Sequence, residues 1–288
     1  MINNYLCLRT YYFAMTFIPP VQSLFAPLDA LLMDCLRQLS DEQWNLPTVS
    51  RLWNVKDVVA HLLDGNLRTL SIQRDKYFGD KGPQGNDYSE LVKWLNCLNA
   101  DWVLAAKRLS PEVLIMMHES TGPLVSAYYE SLNPMEEAIF AVAWAGENTS
   151  TNAMHLAREY TEKWHHQQQI RFAICDDTLM IEQWSKPFWE TIMLGMPHAL
   201  RYVQPEIGTR VRCKIIGAGS WELEYRHLEW SFIDSYDDRT ENIVEIPAEI
   251  AWRLFTKSIR PEAVMDQITV QGAREITSQV LSLVAVMA

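Results

Sequence analysis

Apolar residues recur three or four positions apart along much of the chain, a spacing typical of amphipathic helices. After Pro19 and Pro20, one such run predicts a helix over residues 21–39. A second run predicts a helix from Asn54, which suits the N-cap position, to about residue 74. The aliphatic stripe of this second helix consists of Val55, Val58, Val59, Leu62, Leu63, Leu67 and Leu70.

Capping signals and periodicity predict further helices. A capping box opens a helix over residues 87–109, and the pair Ser110-Pro111 is typical of the start of the next. Another helix is predicted over residues 151–174 and a further one over residues 185–203. The chain is therefore helical up to Gln204-Pro205, where the pattern changes.

Beyond that point apolar and polar residues alternate, which is typical of strands with one buried face. Strands are predicted at residues 210–216, 221–225, 242–246 and 267–271, and helices at residues 247–258 and 274–286. We therefore predict a mainly α protein. It has an N-terminal extension over residues 1–20, a helical domain over residues 21–204 and a small α+β domain over residues 205–288.

Charge and composition exclude several classes of partner. The chain has 25 basic and 36 acidic residues, a net charge of −11 and no basic stripe, so neither nucleic acid nor an anionic membrane surface is expected as a partner. No run of about 18 apolar residues predicts a membrane span. The apolar N-terminus, interrupted by Arg9, does not read as a signal peptide, and Met15 is an alternative start to Met1.

The five cysteines are scattered and never spaced as C-x-x-C. This usage is typical of reduced thiols in a cytoplasmic protein and disfavours a disulfide framework, a zinc-thiolate site or a catalytic cysteine. The chain also lacks the G-x-S-x-G, G-x-G-x-x-G and P-loop motifs.

The stretch YTEKWHHQQQIR, residues 160–171, carries the clearest candidate chemistry. In a helix, Glu162 and His166 share a face and can bind one metal ion together. His165 is an alternative to His166, but it points about 100° away from its neighbour. A third ligand must come from elsewhere, and His61, on the polar side of its own helix, is the best candidate. A carboxylate one turn away, such as Asp64, could orient its second ring nitrogen.

A polar, solvated helix face remains the alternative to a metal site. His155, Glu159 and Gln169 extend the stripe and are candidates for pocket lining, for further ligands or for plain surface. The remaining histidines have no partner at ligand spacing and are expected to be structural; they are His118, His198 and His227.

Two motifs resemble a known family. WNVKDVVAHL, residues 53–62, and AREYTEKWHHQQQIR, residues 157–171, together resemble the mycothiol-dependent maleylpyruvate isomerase N-terminal family of the DinB-like superfamily. The segment FAVAWAGE, residues 140–147, is also similar. The resemblance implies an up-and-down four-helix bundle followed by a sterol-carrier-protein-like α+β domain.

The resemblance also implies a divalent metal ion, commonly zinc, held by His61, Glu162 and His166. Two nitrogens and one carboxylate also suit nickel, iron or cobalt. It further implies a low-molecular-weight thiol of the mycothiol or bacillithiol type. A catalytic arginine is expected from the second domain, for which Arg226, Arg253 and Arg274 are the candidates.

The function expected from these residues is a thiol-dependent isomerase or S-transferase that acts on a small electrophile, as a monomer or homodimer. The thiolate, rather than the thiol, would be the nucleophile. The alternatives are a metal-dependent hydrolase, in which metal-bound water attacks, and a metal-binding or ligand-binding protein without turnover.

Overall fold

The computed structural model of the chain describes residues 18–80, 82–83, 88–234 and 239–283. Most of the predicted extension at residues 1–20 lies outside the described residues, as does Asp87 of the predicted capping box. Within the described residues the α-helices are α1 (Phe25–Gln38), α2 (Val55–Arg68), α3 (Tyr88–Ala106), α4 (Pro111–Ser131), α5 (Asn152–Ala173), α6 (Glu182–Met193), α7 (Met196–Ala199), α8 (Ala248–Phe255) and α9 (Arg274–Leu281). The strands are β1 (Arg210–Ile216), β2 (Gly219–Arg226), β3 (Glu229–Phe232), β4 (Asn242–Pro247) and β5 (Thr269–Gln271).

The start of α2 follows from its capping residues. The Asn54 side chain accepts a hydrogen bond from the Asp57 backbone at 2.9 Å, and the Asp57 carboxylate accepts one from the Asn54 backbone at 3.3 Å. This reciprocal pair satisfies two backbone donors that a helix start otherwise leaves free. Beyond Arg68 the chain continues as a π-helical segment, Thr69–Arg74.

Helices α1, α2, α4 and α5 pack around one another so that each contacts two of the others. α1 and α2 each contact both α4 and α5, and α3 packs against α2. Phe25 of α1 contacts Tyr129 of α4 with ring centroids 4.5 Å apart. The Lys163 ammonium of α5 donates to Asp29 of α1 at 2.7 Å and to Asn66 of α2 at 3.0 Å. These contacts hold α2 and α5 side by side.

The helix predicted over residues 185–203 is two helices, and it begins earlier than expected. The first turn of α6 forms before Pro187, because the Ser185 backbone donates to Ile181 at 3.0 Å. The break falls at Gly195, where an added Cβ would lie 3.0 Å from Leu283 and 3.2 Å from Trp144. The close packing at this point leaves no room for a larger side chain at residue 195.

The C-terminal part contains a five-stranded sheet in the order β3-β2-β1-β4-β5. β1 and β4 are parallel, and the other neighbours are antiparallel. β3 was not predicted, and α9 ends at Leu281 rather than continuing to residue 286, of which residues 284–286 lie outside the described chain. Glu222, expected on a polar face, is 1% exposed because Arg212 pairs with it at 2.8 Å.

The mainly helical chain with a small C-terminal sheet agrees with the predicted fold class. Within the described residues, no helix is both long and apolar enough to cross a membrane.

Candidate metal centre

The contact between α2 and α5 brings His61 beside His166. Their ring centroids lie 4.5 Å apart, with the rings inclined at 69°. Trp53, which immediately precedes the α2 N-cap, packs on His61 at 4.8 Å between ring centroids. Two histidines separated by about a hundred positions in the sequence therefore meet between two helices, beneath an indole ring.

Glu162 lies next to both histidines of its own helix. Its Oε2 is 3.6 Å from His166 Nε2 and 3.8 Å from His165 Nδ1. The two imidazole rings lie 3.8 Å apart, and the potential ligand atoms of Glu162, His165 and His166 all fall within 4.8 Å of one another. His61 adjoins this group through its ring contact with His166, so the structure assembles a Glu and three imidazoles.

Gln169 orients the His166 ring. Its Oε1 lies 3.0 Å from His166 Nδ1. A glutamine oxygen can only accept a hydrogen bond, so Nδ1 is the donor in this arrangement, and Nε2 is the nitrogen that remains to face Glu162. Such a partner on the second ring nitrogen is the usual companion of a metal-binding histidine.

The expected carboxylate partner of His61 is not observed, and this expectation was wrong. Within the described residues, Nδ1 of His61 is buried without a hydrogen-bond partner. The two nearby carboxylates are engaged elsewhere: Asp57 caps α2, and Asp64 lies 3.1 Å from Arg68 Nε.

Burial favours the neutral form of the His61 and His165 imidazoles. It lowers the pKa of His61 well below the usual value, and His166 lowers it further. Burial likewise lowers the pKa of His165, with His166 and His61 adding to the effect. A neutral imidazole is the form that binds a metal ion. Two buried ring nitrogens without partners, one on His61 and one on His165, therefore fit a nitrogen and carboxylate metal site.

A buried polar network continues along α5 from Glu162, and sequence reasoning did not find it. The Glu159 carboxylate accepts hydrogen bonds from Arg158 and, at 3.0 Å, from the Tyr129 hydroxyl of α4. His155 lies 2.9 Å from the Gln73 amide oxygen of the π-helical segment. Burial raises the pKa of Glu159, but Arg158, His155, the Tyr129 hydroxyl and Arg68 together outweigh it and hold that pKa below its usual range. In the sequence, only the helical spacing of His155 and Glu159, which places them on one face of α5, indicated this network.

His118 lies apart from this group, as expected for a structural residue. Its Nε2 is 3.0 Å from the Val59 carbonyl, and burial lowers its pKa to about 4. The other two histidines expected to be structural also lie outside the group. His198 packs where a Cβ on Gly146 would meet its ring, and His227 lies in the exposed turn before β3.

The three arginines considered as catalytic partners make other contacts or are exposed. Arg226 donates to the Phe232 carbonyl at 3.2 Å, and Arg253 lies over the Phe172 ring at 5.0 Å; the third is the exposed Arg274. Instead, Lys257, just beyond α8, lies near the metal centre. Burial lowers its pKa, and the charge of Glu162 opposes that shift.

Comparison with known proteins gives one family. Residues 25–171 match the model of the mycothiol maleylpyruvate isomerase N-terminal domain. The chain is similar to the crystal structure of the mycothiol-dependent maleylpyruvate isomerase, with a TM-score of 0.53 at 11% identity, and to that of a histidine-to-alanine mutant of this enzyme, with 0.51 at 10%. Each alignment covers 89% of this chain and 96% of the other. At such identity the likeness shows the fold. No curated protein matches the sequence.

Proposed function

Because the chain belongs to the mycothiol maleylpyruvate isomerase N-terminal domain family, we propose that it is a metal-dependent enzyme that uses a low-molecular-weight thiol to isomerise, or to become attached to, a small electrophile. We further propose that His61, Glu162 and His166 bind the metal. The observation that carries the proposal is the convergence of these side chains between α2 and α5.

A bound divalent cation would favour the thiolate form of a thiol and hold it beside the substrate. Beside the ion that His61, Glu162 and His166 would hold, such a thiolate would supply the nucleophile for an electrophilic carbon of the substrate, for isomerisation if the thiol is afterwards lost or for transfer if it is kept. Both outcomes need the same first step, so one site serves either reaction.

The protein's own groups prepare this site. Gln169 keeps His166 in one tautomer. Trp53, in the segment before α2, packs against the His61 ring. The ionised Glu159, one turn from Glu162, can accept a hydrogen bond or hold a water molecule beside the reacting groups. The ammonium of Lys257 supplies positive charge from the C-terminal part of the chain.

Metal content tests the ligand set. Elemental analysis of untagged protein, after zinc has been offered, should give about one ion per chain in the wild type and almost none in His61→Ala or Glu162→Ala. His227→Ala is the matched control, because His227 lies in an exposed turn, and it should retain the ion. A full ion in His61→Ala together with its loss in His165→Ala would reassign the third ligand to His165.

Thiol binding tests the reaction class. In cobalt-substituted protein, mycothiol should shift the visible absorption of the metal, and the same concentration of its S-methylated form should not. A metal-loaded protein whose spectrum ignores mycothiol, bacillithiol and glutathione would rule out the thiol mechanism and favour hydrolysis or binding without turnover.

We also propose that α1, α2, α4 and α5 form an up-and-down four-helix bundle and that the chain divides near residue 204 into a metal-binding domain and a sterol-carrier-protein-like domain. The closed order of contacts among the four helices supports the bundle. The change from helices to a continuous sheet after α7 supports the division.

A further inference from the structure

His165 turns its ring into the space beside Glu162 and His166. Consecutive side chains of a helix point about 100° apart. The rings of His165 and His166 nevertheless lie 3.8 Å apart and are inclined at 37°. The His165 side chain is 5% exposed, so protein rather than solvent surrounds this ring. The two imidazoles therefore converge on one space instead of diverging around the helix.

The Nδ1 atom of His165 is buried without a hydrogen-bond partner. Burial lowers the pKa of His165, and the Thr161 carbonyl one turn earlier opposes this shift without making a hydrogen bond to Nδ1. The Oε2 atom of Glu162 lies 3.8 Å from Nδ1, which is too far for a hydrogen bond. A buried ring nitrogen that faces a carboxylate across such a gap is unfavourable unless another atom lies between them.

Histidines buried elsewhere in the molecule use their ring nitrogens in hydrogen bonds. His118 Nε2 lies 3.0 Å from the Val59 carbonyl, and the two ring nitrogens of His155 have side-chain partners at 2.9 and 2.8 Å. Among the described residues, the histidine nitrogens that are buried without a partner belong to His61 and His165. These unpartnered nitrogens are therefore confined to the candidate metal centre.

The separations of the potential ligand atoms suit a single ion. Bonds of about 2.0–2.2 Å at the tetrahedral angle place two zinc ligands about 3.3–3.6 Å apart. Glu162 Oε2 lies 3.6 Å from His166 Nε2 and 3.8 Å from His165 Nδ1, and the ligand atoms of the three residues all fall within 4.8 Å of one another. The His61 ring contacts His166 from α2. Four side chains, rather than three, are therefore close enough to bind one ion after small rotations.

We propose that His165 is a fourth protein ligand, so that three imidazoles and the Glu162 carboxylate bind the ion before any thiol enters. The inference rests on the proposed function, which supplies the other three ligands. Three protein ligands leave an open position, whereas four close a tetrahedral site. A thiol sulfur must then replace the His165 imidazole. His165 thus excludes ligands weaker than an imidazole, including water, and makes the site selective for a strong ligand such as a thiolate.

X-ray absorption at the zinc edge tests this assignment, because rigid imidazole rings scatter from beyond the ligand atoms and can be counted. Zinc-loaded wild type should show three imidazoles. His165→Ala should show two imidazoles and an additional oxygen, and it should keep the ion with at least tenfold weaker affinity. His165→Gln should also show two, which guards against misfolding of the alanine variant. His227→Ala, in an exposed turn, is the matched control and should show three.

Thiol titration of the cobalt-substituted proteins separates this inference from the proposed function. 2-Mercaptoethanol should bind His165→Ala at least tenfold more tightly than wild type, because no imidazole has to leave. Three imidazoles in a wild type that binds neither mycothiol, bacillithiol nor glutathione would support the fourth ligand and refute the thiol mechanism. Two imidazoles in a zinc-loaded wild type that binds mycothiol would overturn the fourth ligand and leave the proposed function intact. A wild type that binds no zinc would overturn both.

Discussion

Gln169 shows how one side chain can orient a candidate metal ligand from outside the ligand set. The sequence placed it on the same helical stripe as Glu162 and His166, which left it open as pocket lining, as a ligand or as surface. The structure gives it a bond to His166 Nδ1 at 3.0 Å. Gln169 lies three residues after His166 on one helix, a spacing that permits this contact. Whether its amide contacts the imidazole ring or the solvent depends on the side-chain rotamers.

Replacement of Gln169 by leucine should therefore weaken metal binding while leaving the fold intact. Without the amide oxygen, the His166 ring is free to rotate and to exchange tautomers, and a change of this kind typically costs roughly 10–100-fold in metal affinity. Competition with a chelator of known affinity measures the effect. Gln168→Leu is the matched control, because Gln168 is equally buried but its Oε1 has no partner within the described residues. Equal zinc affinities in the two variants would contradict the role given to Gln169.

Lys257 is a second residue whose position is unusual for its type. It follows the C-cap of α8 with φ of 59°, the left-handed region that favours glycine. Ser258 N donates to Arg253 O at 2.8 Å and Lys257 N to Leu254 O at 3.2 Å, the bonds of a Schellman motif. A lysine here carries backbone strain and places its charge near Glu162.

Lys257→Gly should accordingly raise the free energy of unfolding by about 1 kcal/mol relative to Lys257→Ala, because glycine relieves the left-handed strain and alanine does not. Urea unfolding of the two variants measures the difference. Both lack the ammonium, so both should show the same loss of thiol-dependent activity. If alanine and glycine give equal stability, the backbone at this position is not strained.

At the scale of elements, the features that could be predicted were those with a local signal. Asn54, Ser110 and Thr151 each cap a helix where the sequence expected one. β3 could not be predicted, because its four residues, Glu229–Phe232, show too short an alternation, and pairing with β2 creates the strand. The burial of Glu222 was also hidden, since it depends on Arg212 on the neighbouring strand.

The candidate site likewise has a part that the sequence predicted and a part that it did not. Glu162 and His166 lie on one helix, so their spacing predicts their proximity. The approach of His61 depends on the packing of α2 against α5. The sequence indicated only that His61 lies on the polar side of its helix, which does not identify the helix that packs there. The network around Glu159 was not found because it joins Tyr129 of α4 and Gln73 of the π-helical segment, which no local pattern connects.

The N-cap of α2 permits a test at this scale, because the helix that it starts carries His61. Asn54→Ala should cost about 1 kcal/mol of stability, since the Asp57 backbone N–H loses its partner. Asn54→Ser should restore most of the loss, because a hydroxyl oxygen can also accept from the Asp57 backbone. Thermal unfolding of the three proteins measures the effect. An alanine variant as stable as the wild type would show that packing alone determines the start of α2.

For the whole molecule, side-chain contacts join the helical part to the sheet part. Phe172, in the last turn of α5, packs edge-on against Trp252 of α8 at 5.7 Å, and Trp230 of β3 donates to the Val203 carbonyl at 2.9 Å. The helix that carries Glu162 and His166 thus ends against the helix that precedes Lys257. Any substrate that binds beside Glu162 therefore lies near charges from both parts of the chain.

The buried histidines make the stability of the whole chain depend on pH. His118 is held between α2 and α4, where burial, opposed by the Val59 carbonyl and aided by Lys163, lowers its pKa from 6.5 to about 4. Between these values the unfolded chain binds a proton that the folded chain does not. The free energy of unfolding therefore has its full value above about pH 6.5. It falls as the pH decreases toward 4, by at most about 3 kcal/mol for one such histidine.

His118→Gln should reduce this pH dependence, because the glutamine amide can still donate to Val59 O but does not titrate. Urea unfolding of metal-free wild type and variant, followed from neutral pH down to about pH 5, measures the difference. The effects of the other buried histidines are the same in both proteins and cancel in the comparison. The difference in free energy of unfolding between wild type and variant should therefore become smaller as the pH falls. Curves that stay parallel over this range would mean that His118 titrates alike in the folded and unfolded chains, and the hydrogen bond to Val59 would then have to offset the cost of its burial.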